Sequence, residues 1–182
     1  MLDLNKLFEE FYEEISLTRT YKEKITRGRD ALRTKIGNKF EEKGRKKPKH
    51  CTQGSYSMHT AIMPTGDDEF DLDNGVYLQG YSTEQDVWPA TQTVHTWVKD
   101  AVNGHTSNLP IDKNTCIRVV YEDKYHIDLP IYIIGENNDG DSIAYLAIRV
   151  KDGLKVIQKL SQNGSKALLM IMVSKYGIWL NI

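Results

Sequence analysis

The sequence predicts an α+β fold in which helices pack on a mixed β-sheet. At 182 residues the chain is long enough for one domain with a proper core, and its contents of 40% hydrophobic and 27% charged residues are typical of a soluble globular protein. The predicted elements are, in order, two helices, a strand, a third helix and then several strands. That order favours helices packed on a mixed sheet.

Two helices are predicted within the first 40 residues. The first has apolar residues at three- and four-residue spacing, which indicates one apolar face: Leu4, Leu7, Phe8, Phe11 and Ile15. The second is predicted to begin at Thr20, which has the capping-box spacing to Glu23, and to end near Gly44 and Pro48. Its apolar stripe consists of Ile25, Leu32, Ile36 and Phe40.

The later elements are predicted from a third helical pattern and several apolar runs. The helix is "WPATQTVHTWVKDAVNG", with Pro89 in its first turn and Gly104 at its end. Its buried face would consist of Val94, Trp97, Val98, Ala101 and Val102. Strands are predicted in "TCIRVVY", "YHIDLPIYII" and "SIAYLAIRV", because they are apolar runs bounded by turn residues such as 122–124 and "GENNDGD".

A pair of carboxylates lies in the segment "EFDLDNGVY". Asp71 and Asp73 alternate with Phe70 and Leu72, which indicates a strand with both carboxylates on one face and their Cα atoms roughly 6.5–7 Å apart. Such a pair raises the pKa of both groups unless a cation neutralises it, and hard oxygen ligands favour Mg²⁺ or Mn²⁺. Two such ions roughly 3.5–4 Å apart clamp the attacking and leaving oxygens of phosphoryl transfer. An ordinary pair of surface acids is the alternative.

Two further features flank this pair. Upstream, Gly54 would let backbone N–H groups approach a phosphate and Ser55 adds a hydroxyl, although Gly-Ser is also a common turn. Downstream, Asp128 interrupts an apolar strand, and a buried carboxylate there needs a partner or a metal. Structural capping would explain Asp128 alone. The three features in this order are more specific together than any one of them.

The motifs "QGSY", "DEFDLDNGVYL" and "YHIDLPIY" together resemble the signature of the bacterial cGAS/DncV-like nucleotidyltransferases of the polymerase-β-like superfamily. The likeness covers about residues 20–150. It implies a polymerase-β-like nucleotidyltransferase core with a long N-terminal helix packed on its sheet. It also implies a cytoplasmic synthase of cyclic di- or trinucleotides that uses ATP and GTP or other NTPs in antiphage defence, with a downstream effector that senses the product. Rival interpretations are a related nucleotidyltransferase that acts on RNA, and an inactive nucleotide-binding remnant.

The resemblance also implies which residues are catalytic. Asp71 and Asp73 would bind two Mg²⁺ ions, with Mn²⁺ as a possible substitute. Asp128 would complete one of the metal sites and help to activate the attacking ribose hydroxyl. The hydroxyl would attack an α-phosphate, pyrophosphate would leave, and a second transfer would close the ring.

Five further residues are implied to bind the nucleotide. Gly54 and Ser55 would hold the β- and γ-phosphates of the donor, with Gln53 and Tyr56 beside them. Arg118, on the strand that precedes Asp128, would reach a phosphate or a base. A solvated strand residue is an equally good interpretation of Arg118.

Charge, cysteines and histidines add little to this assignment. Residues 1–50 hold 14 basic and 9 acidic residues, but the basic run "KGRKKPKH" has no interleaved aromatic residue, which favours a solvated connector over a nucleic-acid site. No apolar run approaches the roughly 20 residues of a membrane helix, so we expect no membrane partner. Cys51 and Cys116 have neither metal nor disulfide spacing. We expect His95 on a helix surface and His105 in a loop, with no zinc site.

The sequence divides into three segments. Residues 1–44 are predicted as N-terminal helices that pack on the core, 45–154 as the catalytic core and 155–182 as an atypical tail. After Asp152 no acidic residue occurs in 30 positions, and we expect the C-terminal helical lobe implied by the resemblance to be missing. A reading-frame change near Val156 would explain both features and would leave a truncated copy with little activity. A genuine apolar strand or helix in "ALLMIMVSKYGIWL" is the alternative.

Overall fold

The computed structural model describes residues 4–136, 142–148, 156–161 and 170–173. Its helices are α1 (Leu4–Ile15), α2 (Arg19–Glu42), α3 (Gly54–Ser57) and α4 (Thr91–Val102), and a 3₁₀ turn covers Gln85–Val87. Its strands are β1 (Lys49–Thr52), β2 (Phe70–Ser82), β3 (Ile111–Asp112), β4 (Cys116–Tyr121), β5 (Tyr125–Glu136), β6 (Ser142–Ile148), β7 (Val156–Ser161) and β8 (Met170–Val173).

Strands β2 and β5 are parallel neighbours at the centre of the sheet. The other edge of β2 pairs with β1, and the other edge of β5 pairs first with β4 and then with β6, all antiparallel. Strand β3 extends the sheet from β4, and β7 and β8 extend it from β6. The mixed sheet of the predicted α+β fold is therefore confirmed. In its register, Asp71 lies opposite His126 and Asp73 lies opposite Asp128.

Helices α2 and α4 supply the apolar side chains that form one core with the sheet. All four residues of the predicted α2 stripe are buried, and so are four of the five predicted for α4, with Trp97 partly buried. From the sheet, Leu72, Ile127 and Leu129 join the same core at 0% exposure. Because successive strand residues point to opposite faces, the intervening Asp71, Asp73 and Asp128 lie on the face away from this core.

The N-terminal helices differ from the sequence prediction in two respects. The side chain that caps α2 is Thr18, whose Oγ1 accepts a hydrogen bond from the backbone N of Tyr21 at 3.3 Å, so the predicted start at Thr20 is wrong. Helix α1 lies where its periodicity predicts, but it has no buried residue, and Phe8 is 68% exposed. Packing on the core is thus observed for α2 and not for α1.

The ends of α2 and α4 follow the expected glycines. Gly44 adopts a φ of 68° after α2, and the backbone N of Arg45 donates to the carbonyl of Phe40 at 2.8 Å, as in a Schellman motif. Gly104 follows α4 with a φ of 66°. Pro89 precedes the first residue of α4 by two positions, so its predicted place in the first turn of that helix is wrong.

The later strands agree with the prediction as far as they are described. The turn at 122–124 joins β4 to β5, and β6 covers most of "SIAYLAIRV". In the tail, β8 lies within the stretch for which a strand or helix is the alternative to a changed reading frame. The remainder of that tail and most of "GENNDGD" lie outside the described residues. None of the helices described is both long and apolar enough to cross a bilayer.

Candidate active site

The acidic face of the sheet is formed by neighbouring positions on β2 and β5. The two strands are 55 residues apart in sequence at Asp73 and Asp128, yet their parallel register places these residues side by side. Within the described residues, one tight group of possible metal ligands contains Asp71, His126 and Asp128, whose ligand atoms lie within 4.8 Å of one another. Asp73 is not in this tight group but adjoins it. The three predicted carboxylates therefore share one face, with a histidine among them.

Asp73 is half-buried and lies among like charges. Burial raises the pKa of the Asp73 carboxyl, and the carboxylates of Asp71 and Asp128 raise it further. His126 and Arg118 lower it by less than those effects combined. The ionised form of Asp73 is thus disfavoured in the unliganded site, which a divalent cation would reverse. The chemistry of this oxygen-rich set fits the hard cations that the sequence predicts.

Asp128 is held by a two-pronged contact with Arg118. The Nε of Arg118 donates to Oδ1 at 2.7 Å and a terminal nitrogen donates to Oδ2 at 2.8 Å, while the Nζ of Lys113 lies 3.7 Å from Oδ2. Burial by itself would raise the pKa of the Asp128 carboxyl, but the hydrogen bonds and charge of Arg118, together with Lys113, outweigh it and lower the pKa. Asp128 therefore stays ionised. The predicted contact of Arg118 with nucleotide stays a prediction.

His126 is the residue of this site that sequence reasoning missed. Its side chain is 8% exposed, its Nδ1 lies 2.9 Å from Oε2 of Glu69, and its Nε2 lies 3.0 Å from Oδ1 of Asp71. Burial would lower the pKa of the imidazole, but Asp71 and Glu69 together raise it. A usable signal was present, because His126 precedes Asp128 by two residues in "YHIDLPIY" and so shares its face.

The predicted phosphate loop packs directly against Asp73. Gly54 has a φ of 64° and begins the short helix α3, and a Cβ at this position would collide with the Asp73 carboxylate. The backbone N of Gln53 donates to the carbonyl of Asp73 at 2.9 Å. Only glycine thus combines this backbone conformation with this close approach.

An open groove of about 420 Å³ lies beside the acidic face. Ser55 lines it from α3, residues 60–65 line it from the following loop, and Phe70 and Asp71 line it from the start of β2. The groove therefore connects the predicted phosphate loop to one of the predicted metal ligands. Its volume falls in the range of roughly 300–1,000 Å³ that small-molecule sites occupy.

The side chains of Gln53 and Tyr56 are engaged within the protein. Nε2 of Gln53 donates to the hydroxyl of Tyr77 at 2.6 Å, and the hydroxyl of Tyr132 donates to its Oε1 at 3.2 Å. The hydroxyl of Tyr56 lies 3.2 Å from Oγ1 of Thr26. Both residues support the loop that carries Gly54 and Ser55, and their contact with nucleotide stays a prediction.

His95 is buried, so its predicted position on a helix surface is wrong. Its exposure is 0%, its Nδ1 lies 2.9 Å from Oδ1 of Asp112 and its Nε2 lies 3.0 Å from the carbonyl oxygen of Ala147. The ring therefore links α4 to β3 and β6. His105 lies in a loop, as predicted, with its Nε2 2.9 Å from the hydroxyl of Tyr121.

Comparisons with known proteins agree with this geometry. Residues 48–132, which include all the predicted site residues, match the family described as cyclic GMP-AMP synthase DncV-like, nucleotidyltransferase domain. The GTP-bound structure of Vibrio cholerae DncV is similar with a TM-score of 0.65 and 20% identity, over 78% of this chain and 53% of that one. Bradyrhizobium diazoefficiens CdnG, a CD-NTase in complex with GTP, is similar with a TM-score of 0.56 and 21% identity, over 74% and 38%.

These comparisons show which class of protein this chain resembles. The matched segment is similar to a nucleotidyltransferase domain, and the fold around it is similar to that of DncV. The resemblance to the bacterial cGAS/DncV-like nucleotidyltransferases that the motifs predict is confirmed, by the family match over residues 48–132 and by the similar folds of DncV and CdnG. It spans about half the length of DncV and 38% of the length of CdnG.

Proposed function

We propose that this protein transfers nucleotidyl groups between nucleoside triphosphates and forms a cyclic di- or trinucleotide. A ribose hydroxyl oxygen of one nucleotide forms a bond to the α-phosphorus of another, and the bond from that phosphorus to the β-phosphate oxygen breaks. Pyrophosphate leaves with the electron pair, and the proton of the hydroxyl passes to water. A second transfer of the same kind closes the ring. The observation that carries this proposal is the convergence of Asp71, Asp73 and Asp128 on one face beside the groove that Ser55 lines.

The residues of the acidic face have separate roles in this proposal. Asp71, Asp73 and Asp128 hold divalent cations, Mg²⁺ or Mn²⁺, which supply charge neutralisation for the attacking and leaving oxygens when bound. Asp128, kept ionised by Arg118, orients the attacking hydroxyl as a hydrogen-bond acceptor. Gly54 and Ser55 face the phosphates of the donor, and Gln53 and Tyr56 fix that loop from behind.

The substrates and the biological role are proposed from the relatives. DncV has been solved with GTP and with 3′-deoxy ATP, and CdnG with GTP. We therefore assign ATP and GTP as the first substrates to test. The product would act as a signal to a downstream effector in antiphage defence, within the cytoplasm.

The test is incubation of the full chain with ATP, GTP and either Mg²⁺ or Mn²⁺, followed by mass spectrometry of the products and a pyrophosphate assay. We expect a cyclic product in the wild type. In Asp71→Asn we expect pyrophosphate release to fall by about 100-fold or more, since the substitution removes a ligand charge. Asp100→Asn, an exposed acid of α4, is the matched control and should keep the wild-type rate.

Other outcomes would redirect the proposal. Nucleotides added to an RNA primer without any cyclic product would indicate the related RNA-directed activity. Binding of ATP without pyrophosphate release, unchanged by Asp71→Asn, would indicate a remnant that only binds nucleotide.

A further inference from the structure

We propose that His126 is a direct ligand of the cation held by Asp71 and Asp128, so that this chain has a mixed imidazole–carboxylate metal site. Such a site would favour a divalent transition-metal ion over Mg²⁺. The inference rests on the proposed function, because it adds a ligand to the same cation site. It goes beyond that function in assigning both a fourth residue and a metal preference.

The first support is the unsatisfied nitrogen of His126. In the part of the chain that is described, His126 Nε2 is buried and makes no hydrogen bond of acceptable geometry, although it lies 3.0 Å from Oδ1 of Asp71. A buried polar atom without a hydrogen bond costs roughly 1–3 kcal/mol, so its placement needs an explanation. A cation between the two atoms provides one.

The distance itself fits two ligands of one ion. In an octahedral site with bonds of about 2.1 Å, neighbouring ligand atoms lie about 3.0 Å apart. The separation of His126 Nε2 and Asp71 Oδ1 has this value. The Asp128 ligand atom lies within 4.8 Å of both, and opposite ligands of one such ion lie about 4.2 Å apart, so at most a small side-chain movement brings all three atoms into one coordination sphere.

The second support is the partner of the other ring nitrogen. Nδ1 of His126 lies 2.9 Å from Oε2 of Glu69, which belongs to the chain just before β2. A histidine that binds a metal commonly donates its other N–H to a carboxylate, which fixes the tautomer and the ring orientation. When a cation takes the place of a proton on Nε2, the proton on Nδ1 keeps its contact with Glu69 and the lone pair of Nε2 is directed at the cation beside Asp71.

The contact between Arg118 and Asp128 is compatible with this assignment. The two oxygens of a carboxylate together have roughly four lone-pair positions. Arg118 occupies one position on Oδ1 of Asp128 and one on Oδ2. A free position therefore remains on each oxygen for a cation. Imidazole nitrogen is a ligand that suits transition metals, whereas Mg²⁺ takes oxygen ligands, so the histidine shifts the preference of the site.

The test is Mn²⁺ binding by the full chain, followed by electron paramagnetic resonance and titration calorimetry. We expect the electron spin echo of bound Mn²⁺ to show modulation from a directly bonded imidazole nitrogen. In His126→Asn we expect that modulation to disappear and the Mn²⁺ affinity to fall by about tenfold or more, with a smaller loss for Mg²⁺. His50→Asn is the matched control, because His50 also has a buried Nε2 without a hydrogen bond but lies outside the acidic group.

A second variant keeps the test informative if His126→Asn does not fold. The side chain of Glu69 is 45% exposed, so Glu69→Gln should leave the fold intact while it weakens the orientation of the ring. We expect a loss of Mn²⁺ affinity of several-fold, with the nitrogen modulation reduced. Circular dichroism and thermal unfolding of each variant check the fold.

The outcomes separate this inference from the proposed function. If Mn²⁺ binds but shows no nitrogen modulation in the wild type, His126 is not a ligand and the inference is overturned, whether or not pyrophosphate is released. If the modulation is present and depends on His126 but no nucleotidyl transfer occurs, the inference holds and the proposed function fails. If no Mn²⁺ binds at all, the inference fails and pyrophosphate release alone decides the function.

Discussion

His95 and His126 are both buried beside carboxylates, but their rings differ in how many nitrogens are bonded. Both nitrogens of His95 have acceptors, one on Asp112 and one on the carbonyl of Ala147, and its exposure is 0%. In His126, Nδ1 contacts Glu69 while Nε2 is left without a hydrogen bond among the described residues. The first ring joins three elements of the fold, and the second ring faces a set of acids beside an open groove.

The difference shows how to separate structural from functional polar groups. Buried polar groups that serve stability have their hydrogen bonds completed within the protein. His126 is buried with one nitrogen that lacks a hydrogen bond, and it lies beside like charges that raise the pKa of Asp73. Both features lower the stability of the fold, which indicates that they serve function. We therefore expect substitutions near His95 to change stability and substitutions near His126 to change activity.

The largest expected effect is on catalysis, at the acidic face. Asp73→Asn should reduce pyrophosphate release by about 100-fold or more, because it removes a ligand charge. Its free energy of unfolding should not fall, since repulsion from Asp71 and Asp128 is removed with the charge. Rate assays and urea unfolding of the same preparation measure both quantities. A variant that loses stability and activity together would break the distinction between the two regions.

The next effect is on stability, at the bonded histidine. His95→Asn should lower the free energy of unfolding by about 3 kcal/mol, because it leaves Asp112 and the carbonyl of Ala147 without the ring that joins them. Where the variant is still folded, its rate of pyrophosphate release should equal that of the wild type. Thermal unfolding with assays at several temperatures tests this, and a lower rate in the folded variant would contradict it.

A third histidine, His50, allows a test by pH. Burial, and then the charge of Arg33, lower the pKa of His50 to about 4, against about 6.5 in an unfolded chain. The folded protein therefore binds fewer protons than the unfolded chain between these values, so stability is full above pH 6.5 and falls as the pH drops toward 4. The expected loss is on the order of 3 kcal/mol. Urea unfolding at several pH values should show this slope, and His50→Gln should flatten it.

The smallest effect is at the N-cap of α2, and it calibrates the stability scale. Thr18→Ala should cost about 1 kcal/mol, because it removes the side-chain oxygen that caps α2. Thr20→Ala should change the free energy of unfolding by less than about 0.5 kcal/mol. Urea unfolding of the two variants side by side decides between them. An equal loss in both would show that the cap is shared.

The sequence contains enough to predict most of the fold. The α2 and α4 stripes and the strands β2, β4 and β5 follow from local periodicity, which depends on neighbouring residues alone. The wrong cap at Thr20 arises because two threonines two residues apart offer similar local patterns, and the backbone conformation of Thr18 selects between them. The burial of His95 could not be predicted, because its partners Asp112 and Ala147 belong to other elements.

The acidic residues of the candidate site could be predicted from the sequence, but the contacts that surround them could not. Asp71 and Asp73 share a face by strand geometry alone, and the motif resemblance adds Asp128. The contact of Arg118 with both oxygens of Asp128 depends on the antiparallel register of β4 and β5, which pairs these residues directly. Likewise, His126 enters the site because the register of β2 and β5 sets it opposite Asp71.

The parallel pairing of β2 with β5 also has a consequence for how the chain would acquire the proposed activity. The two strands join residues that are separated by a long stretch of sequence, so this contact forms only after a large loop has closed. A slip of one position would turn Asp128 and His126 to the opposite side of the sheet. Nascent or misaligned molecules should consequently be inert, and recovery of turnover during refolding should coincide with the slowest step of sheet assembly.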